Sequence, residues 1–432
     1  MSIAQLKSNN KDLSFIISKN PETGLIAKSM RQGTIFGYYT NGNQKEYNLF
    51  FKDGSDEVSF PSYDGENFEY LNTSRYSSAS FVVSAIDDML RSAFKSNEYK
   101  SSEGEKKDTG GEESEFFINM IYVWNERYIE AFNDYFPDYN VSYENIIGKN
   151  YRVTIKTKKS IHELLNFASL FAIFQVIVNR EPFDVNEQNA AKYVKCMNII
   201  DSPYFVRYLF KKRFLINFKT FKSVRDELSK NSQTNMEIKY GDTWQARQME
   251  IENRLDFRNN ILDVGCGEGK YITRFNRYMK GLEYYAVDIN DEIREKAERR
   301  VKRKGMKNVE FFKSTLDFWK SEKSKEKVDV ICTEVIEHMK PEEAEALLSD
   351  ILSCNVNTLI VTTPDVRFND NYFMEGMRHE DHDFEWDDKE FKDFMNKCLE
   401  PIKEKVESVE WFGIGDIVEG VSPSQGIIVK FK

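Results

Sequence analysis

Three of the four histidines in this chain of 432 residues lie close together, next to a pair of glutamates. Glu334, Glu337 and His338 occupy positions i, i+3 and i+4, and His379 and His382 follow within 45 residues. If the first segment is helical, its three side chains share one face. Carboxylate and imidazole ligands without thiolate favour magnesium, manganese or a similar divalent cation over structural zinc. We therefore expect a metal site, with ordinary charged surface as the alternative.

A glycine-rich turn about seventy residues upstream has the pattern of a nucleoside-binding loop. The stretch NILDVGCGEGK, residues 260–270, predicts an apolar strand, a turn and the start of a helix. The glycines of the turn are Gly265, Gly267 and Gly269. Glycines let a ligand approach the backbone closely, and a helix N-terminus favours an electronegative group. Asp263 precedes the turn, and Asp288 ends the next predicted strand, where an acid suits ribose hydroxyls. A plain glycine turn is the alternative.

The elements around these residues predict how they are positioned. From about residue 243 the pattern alternates strand, glycine turn, helix and strand, which indicates an α/β fold with a Rossmann-like parallel sheet over 243–432. Ligands of such sheets bind at the carboxyl ends of the strands, so the glycine turn and Glu334 should share one edge. The polar residues 226–242 predict a linker. Residues 1–225 predict a mixed α+β region, which an exposed polar loop or insertion at 97–115 would divide into two lobes.

Composition excludes several classes of protein. With 40% hydrophobic residues the chain can form cores, and its net charge of −10 does not resemble a generally basic nucleic-acid coat. The five cysteines form no CxxC pair, which favours reduced thiols in a cytoplasmic protein. The apolar run Leu164–Val178 contains polar residues and is short for a membrane span, so we expect a buried helix.

The sequence DVGCGEG resembles motif I of the class I S-adenosylmethionine-dependent methyltransferases. By that resemblance, residues 263–269 would surround the methionine part of S-adenosyl-L-methionine, and Asp288 would bind its ribose. Ser314, Thr315 and Leu316, which follow the next predicted strand, would lie near the adenine.

TEVIEHM, TTPDVRFN and RHEDHDFEW together resemble the RNA 3′-terminal ribose 2′-O-methyltransferase family, the Hua-enhancer family of small-RNA methyltransferases and its bacterial relatives. The resemblance covers about residues 245–430. It implies metal-dependent methylation of the 2′-hydroxyl at an RNA 3′ end, and DNA is excluded because it lacks the 2′-oxygen. The implied metal ligands are Glu334, Glu337, His338 and His382. His338 and His379 would have catalytic roles, with His379 the candidate proton acceptor.

Two positions depart from the family pattern. The family reads TPN followed two residues later by an acid, where this chain has Asp365 and Arg367. The family follows FEW with Thr-Arg, where this chain has Asp387 and Asp388. We expect both changes to affect RNA contacts and neither to touch a metal ligand.

The N-terminal half has no catalytic constellation of its own. YLNTSRYSSASF, residues 70–81, resembles a motif in the N-terminal domain of the bacterial members. This implies a partner domain that binds a polynucleotide kinase-phosphatase of RNA repair and promotes its ligase activity; a strand-to-helix turn is the alternative. Arg207–Arg225 has seven basic residues, no acid and interleaved aromatics. It predicts either an RNA-binding surface or an amphipathic element with buried aromatics.

Two competing functions remain open from the sequence. A methyltransferase acting on another diol or catechol-like substrate would also suit a metal. Alternatively, activation of a ligase through residues 1–225 would be the main role and methyl transfer secondary.

Overall fold

The chain forms two compact units, unit 1 (Met1–Ser232) and unit 2 (Gln233–Lys432). The computed structural model describes residues 2–30, 33–40, 43–53, 77–183, 185–372 and 377–432.

Unit 1 is built on a seven-stranded antiparallel sheet with the strand order β2-β3-β4-β1-β7-β9-β8. Its strands are β1 Ser2–Ser8, β2 Ile26–Met30, β3 Gly33–Thr40, β4 Asn43–Asp53, β7 Ser114–Tyr122, β8 Tyr139–Ile147 and β9 Asn150–Thr157, and a separate hairpin joins β5 Glu98–Ser101 to β6 Gly104–Lys107. The stretch 97–115, predicted as an exposed polar loop or insertion, is largely exposed, but residues 98–107 form a hairpin instead of an irregular loop. The expected division into two lobes is wrong, because strands before and after the stretch belong to one sheet. A two-stranded hairpin buries little surface and therefore lacks the apolar alternation that identifies a strand.

The helices of unit 1 include one that is apolar on all sides. They are α1 Leu13–Ile16, α2 Ala79–Met89, α3 Arg91–Lys95, α4 Arg127–Tyr135, α5 Ile161–Val178, α6 Glu187–Ile199, α7 Tyr204–Phe214 and α8 Phe218–Leu228. Within the described part of the chain, only α5 is long and apolar enough to cross a membrane, and 89% of it is buried inside the protein. A helix that is hydrophobic all round fits a core position, and the prediction of a buried helix here is confirmed.

Three of the five aromatic residues of Arg207–Arg225, namely Phe210, Phe214 and Phe221, belong to the core of unit 1, whereas Phe218 is exposed. Phe210 and Phe221 are almost completely buried. The guanidinium of Arg207 is also buried and donates hydrogen bonds to three backbone carbonyl groups. The buried-face interpretation therefore holds for these residues, while Lys212 and Lys219 are exposed.

Only the end of the 70–81 motif can be described, since residues 70–76 lie outside the described residues. Ser78 is the N-cap of α2 and donates a hydrogen bond of 2.6 Å to Glu181 Oε2. The same carboxylate accepts from the backbone N–H groups of Ala79 and Ser80. This part of the motif therefore starts a helix.

Unit 2 contains the parallel sheet that the sequence predicted. Its strands are β11 Asn260–Val264, β12 Tyr284–Val287, β13 Val309–Phe312, β14 Val328–Thr333, β15 Val356–Pro364, β16 Val406–Ile414 and β18 Ser424–Phe431. The order is β13-β12-β11-β14-β15-β18-β16, and only β18 pairs antiparallel with its two neighbours. The expected Rossmann-like α/β architecture is confirmed.

The remaining elements of unit 2 cover the sheet and include part of the predicted linker. The helices are α9 Thr243–Arg254, α10 Lys270–Phe275, α11 Asp291–Arg303, α12 Thr315–Lys320, α13 Pro341–Leu352 and α14 Asp388–Leu399. Within 226–242, α8 ends at Leu228, and β10 (Met236–Glu237) pairs with β17 (Ile417–Val418). The boundary between the units lies inside this stretch, but the stretch is partly ordered structure.

Candidate active site

The glycine turn between β11 and α10 contains three residues in the left-handed backbone conformation. Gly265, Gly267 and Gly269 have φ angles of 74°, 53° and 70°. A Cβ at Gly265 would lie 2.3 Å from Val335 Cγ2, whereas a Cβ at Gly267 would meet nothing within 4 Å. Gly265 is thus required for packing, and the space beside Gly267 is open to a ligand.

The two acids expected at the cofactor have different environments. Asp263 is completely buried; its Oδ2 accepts a hydrogen bond of 2.7 Å from the Tyr284 hydroxyl, and its Oδ1 has no partner. Burial raises the pKa of Asp263 to about 7, against the opposing effect of the Tyr284 hydrogen bond. Asp288 is half-buried at the end of β12, and its Oδ2 accepts from Gly267 N at 2.8 Å. Asp288 is therefore attached to the turn itself.

The residues predicted near the adenine follow β13, at the same carboxyl edge of the sheet as Asp288. Ser314 caps α12 by accepting from Asp317 N at 3.1 Å, and Leu316 is 52% exposed. Ile289, directly after Asp288, is 85% exposed. An exposed apolar residue beside Asp288, the acid predicted to bind the ribose, is a candidate surface for a base, and sequence reasoning missed it.

The carboxylate–histidine cluster forms, but not on an α-helix. Glu337, His338 and His382 each offer a ligand atom, and these atoms lie within 4.8 Å of one another. Glu334 has a φ of 54°, and only Ile336–His338 form a 3₁₀ turn. The condition of a helical segment is therefore not met, because the left-handed Glu334 turns the chain sharply after β14.

Glu337 is a buried carboxylate with one oxygen unsatisfied. Its exposed fraction is 0%, Oε2 accepts a hydrogen bond of 3.2 Å from the Thr363 hydroxyl, and Oε1 has no partner. Burial raises the pKa of Glu337 well above its usual range, and the neighbouring Glu334 adds to this. A buried, unpaired carboxylate oxygen facing two imidazoles fits a cation ligand.

Both histidines of the cluster have one ring nitrogen already engaged. His338 Nδ1 lies 2.9 Å from the carbonyl oxygen of Asp381, and His382 Nδ1 lies 2.5 Å from Glu385 Oε1. This leaves Nε2 of each ring for a ligand. Metal-binding histidines commonly donate their other N–H to a carbonyl or carboxylate in this way, so the donor set fits a divalent cation.

Glu334 is next to this cluster, but its carboxylate has another partner. Arg247 Nη2, on α9, lies 2.6 Å from Glu334 Oε2, and both side chains are largely buried. Thr362 donates to Glu334 Oε1 at 3.1 Å. The structure thus brings together three of the four predicted ligands, and it pairs the fourth with an arginine that the sequence did not single out.

His379 lies at the rim of the cluster. It is exposed, and its ring centroid is 5.1 Å from that of His382. Its position at the mouth of the site is compatible with a role near substrate and differs from that of the buried His382.

The departures from the family pattern have local partners. Arg367 donates to both oxygens of the buried Asp365, at 3.0 Å from Nε and 2.6 Å from Nη2. Asp387 caps α14 in a reciprocal arrangement with Glu390, and Asp388 pairs with Lys392. None of these contacts involves the carboxylate–histidine cluster.

Comparisons with known proteins cover both units. Residues 3–233 match the family model described as the Hen1 N-terminal domain, and residues 261–355 match a methyltransferase domain. A chain in the "Structure of the Pnkp1/Rnl/Hen1 RNA repair complex" is 28% identical with a TM-score of 0.83, over 99% of this chain and all of that chain. A chain in the "Structure of Pnkp1/Rnl/Hen1 complex" has the same identity and TM-score over the full length of both. Among curated proteins none matches.

Proposed function

We propose that this chain, which belongs to the Hen1 family and is an S-adenosylmethionine-dependent methyltransferase, methylates the 2′-hydroxyl of the terminal ribose at RNA 3′ ends. The observation that supports this most is that two different sites share one sheet edge. The turn after β11 has the features of a nucleoside cofactor site, and the segment after β14 carries the cluster of Glu337, His338 and His382.

The residues of the cluster would hold the reacting ribose next to the cofactor. A divalent cation bound by Glu337, His338 and His382 would lower the pKa of the 2′-hydroxyl and orient it. A terminal ribose has adjacent 2′- and 3′-hydroxyls, whereas an internal ribose has its 3′-oxygen in a phosphodiester. A site that needs both hydroxyls therefore selects the 3′ end.

The other residues of the edge would position the two reactants. Asp288 would bind the cofactor ribose, and the left-handed glycines would leave room for the methionine part. Aligning an oxygen nucleophile with a sulfonium methyl supplies much of the rate enhancement in such a transfer. His379 would accept the released proton at the rim, where water can reach it.

The direct experiment is transfer of labelled methyl from S-adenosyl-L-methionine to RNA by the full chain. We expect label on an RNA with a terminal ribose, none on a matched RNA with a 2′-deoxy terminal nucleotide, and loss of transfer in excess chelator with recovery on adding Mg²⁺ or Mn²⁺. Full activity in excess chelator would contradict the cation requirement. Equal labelling of the 2′-deoxy RNA would contradict specificity for the 2′-hydroxyl. Labelling of a free catechol instead of RNA would favour a different diol substrate.

We also propose that the chain acts with a polynucleotide kinase-phosphatase and ligase in RNA repair. The match of the Hen1 N-terminal model over residues 3–233 and the whole-length likeness to chains of Pnkp1/Rnl/Hen1 complexes support this. Purified full chain should elute with such a ligase and raise its sealing of broken RNA. If Glu337→Gln leaves that stimulation intact, the two activities are separable; absence of binding at micromolar concentrations would contradict the partnership.

A further inference from the structure

The segment 377–386 that carries His382 is fixed by a buried hydrogen-bond network centred on Glu385. The Glu385 side chain is 0% exposed. Its Oε1 lies 2.5 Å from His382 Nδ1 and also accepts from Arg378 N at 2.6 Å. Its Oε2 accepts from Asn369 Nδ2 at 2.6 Å. The Glu385 carboxylate thus accepts from three donors and does not face the surface of the site.

The other end of the network ties the segment to the 3₁₀ turn Val366–Tyr372. The guanidinium of Arg378 donates to Asn369 Oδ1 from Nε at 3.1 Å and from Nη2 at 2.9 Å. Asn369 therefore accepts from Arg378 with its oxygen and donates to Glu385 with its amide, so its orientation is determined. Further on, the N–H groups of Asp383 and Phe384 donate to the carbonyl of Glu337.

The same segment also sets the ring of His338. The Asp381 carbonyl lies 2.9 Å from His338 Nδ1, and a carbonyl oxygen can only accept. The proton of neutral His338 is therefore on Nδ1. Glu385, an acceptor when ionised, imposes the same proton position on His382.

We propose that Glu385 is a positioning residue, held by Asn369 and Arg378, that fixes His382 as the Nδ1–H tautomer so that Nε2 faces Glu337. The proposal rests on the proposed function only for the identity of the ligand, a divalent cation, at Nε2. The tautomer of His382 is a property of the protein without any ligand. The chain would then present a preset pair of imidazole nitrogens, one oriented by Asp381 and one by Glu385.

The test is histidine ¹⁵N NMR on the selectively labelled full chain, which contains only four histidines. Histidine-to-glutamine variants assign the signals. We expect the Nδ1–H pattern for His338 and His382 in cation-free protein. In Glu385→Gln, the Nδ1–H share of His382 should fall while His338 keeps its pattern, because a neutral amide oxygen is a weaker acceptor than a carboxylate and the new NH₂ group opposes Asn369 Nδ2. An unchanged His382 signal in this variant would overturn the proposal.

Mn²⁺ affinity, measured by calorimetry, provides the second readout. Glu385→Gln should weaken Mn²⁺ binding by about 10- to 100-fold, the usual effect of losing an outer partner of a ligating histidine. The matched control is Glu380→Gln, the same change at an exposed position of the same segment, which should change neither readout. Equal Mn²⁺ binding by wild type and Glu385→Gln would overturn the proposal. If wild type binds no Mn²⁺, the proposed cation dependence fails, and the tautomer result still decides the role of Glu385.

A second, milder variant tests the network in case Glu385→Gln fails to fold. Arg378→Lys keeps the backbone N–H that Glu385 accepts and removes the guanidinium contacts to Asn369. It should move the His382 signal in the same direction by a smaller amount, with S-adenosyl-L-methionine binding unchanged. An unchanged His382 signal in Arg378→Lys would contradict the role of Arg378 in the network.

Discussion

The two halves of the candidate site are positioned by different means. The cofactor half, from Asp263 to Gly269, takes its shape from backbone conformation, with three glycines at positive φ within residues 265–269. The half proposed to bind a cation, here called the cation half, takes its shape from side chains that converge from distant segments. Glu337 and His382 are separated by a strand and a helix. A site can therefore combine a rigid local turn with a cluster that exists only after the sheet has formed.

The two halves are in contact where Val335 packs against Gly265. Val335, between Glu334 and the 3₁₀ turn, occupies the space that a Cβ on Gly265 would need. The lack of a side chain at Gly265 thus serves the cation half as well as the cofactor half. A substitution in one half is therefore informative when binding is measured in both.

The largest effect is expected from Glu337→Gln. Removing the buried charge should reduce methyl transfer by about 10³-fold, comparable to loss of a main electrostatic group in an active site. The free energy of unfolding of cation-free protein should stay the same or rise, because an uncompensated buried carboxylate is unfavourable. Transfer assays and chemical unfolding test this, with Glu380→Gln as the control. Loss of activity together with loss of stability would show that Glu337 supports the fold instead.

Gly265→Ala should damage both halves. The new methyl group clashes with Val335 and strains a left-handed backbone, for a combined cost of about 3 kcal/mol. Both S-adenosyl-L-methionine and Mn²⁺ should bind more weakly. Gly267→Ala is the matched control, since it carries the backbone strain alone, about 1 kcal/mol, and should leave Mn²⁺ binding intact. If both variants affect Mn²⁺ equally, the contact with Val335 does not couple the halves.

Asp263→Asn should change how stability depends on pH. The folded pKa of about 7 lies above the unfolded value of 3.8, so wild type loses stability as pH rises from the unfolded towards the folded value. The asparagine variant lacks this loss. Its stability relative to wild type should improve by about 2.5 kcal/mol between about pH 5 and about pH 8. Urea unfolding of cofactor-free protein measures this, and Asp393→Asn, at an exposed site, should show no such trend.

Arg247→Gln is expected to have the smallest effect, with opposite signs for stability and cation binding. Breaking the largely buried pair with Glu334 should lower stability by about 2 kcal/mol. Removing a positive charge and freeing a carboxylate beside the cluster should strengthen Mn²⁺ binding several-fold. Arg254→Gln on the same helix is the control. Weaker Mn²⁺ binding in Arg247→Gln would mean that Arg247 orients Glu334 as a ligand.

The cofactor half could be predicted from the sequence because its signals are local. An apolar strand, three glycines and an acid after the next strand were enough to identify the turn and the parallel sheet. Two features of the cation half gave no such signal. The left-handed conformation at Glu334 occurs without a glycine, and Arg247 lies on a helix far from Glu334 in the sequence. The exposed hairpin at 98–107 could not be predicted for a related reason, since it has no buried face and therefore no alternation of apolar and polar residues.

The position of β18 in the sheet affects how the protein is made. This strand is the last in chain order, yet it inserts between β15 and β16, and its first residues, Ser424 and Gln425, reach Glu334 and the carbonyl of Trp386. Without β18, β16 has no partner strand in the sheet, and Glu334 lacks its hydrogen bond from Ser424. The sheet of unit 2 and the polar contacts at its carboxyl edge can therefore be completed only after residues 424–431 have been synthesised.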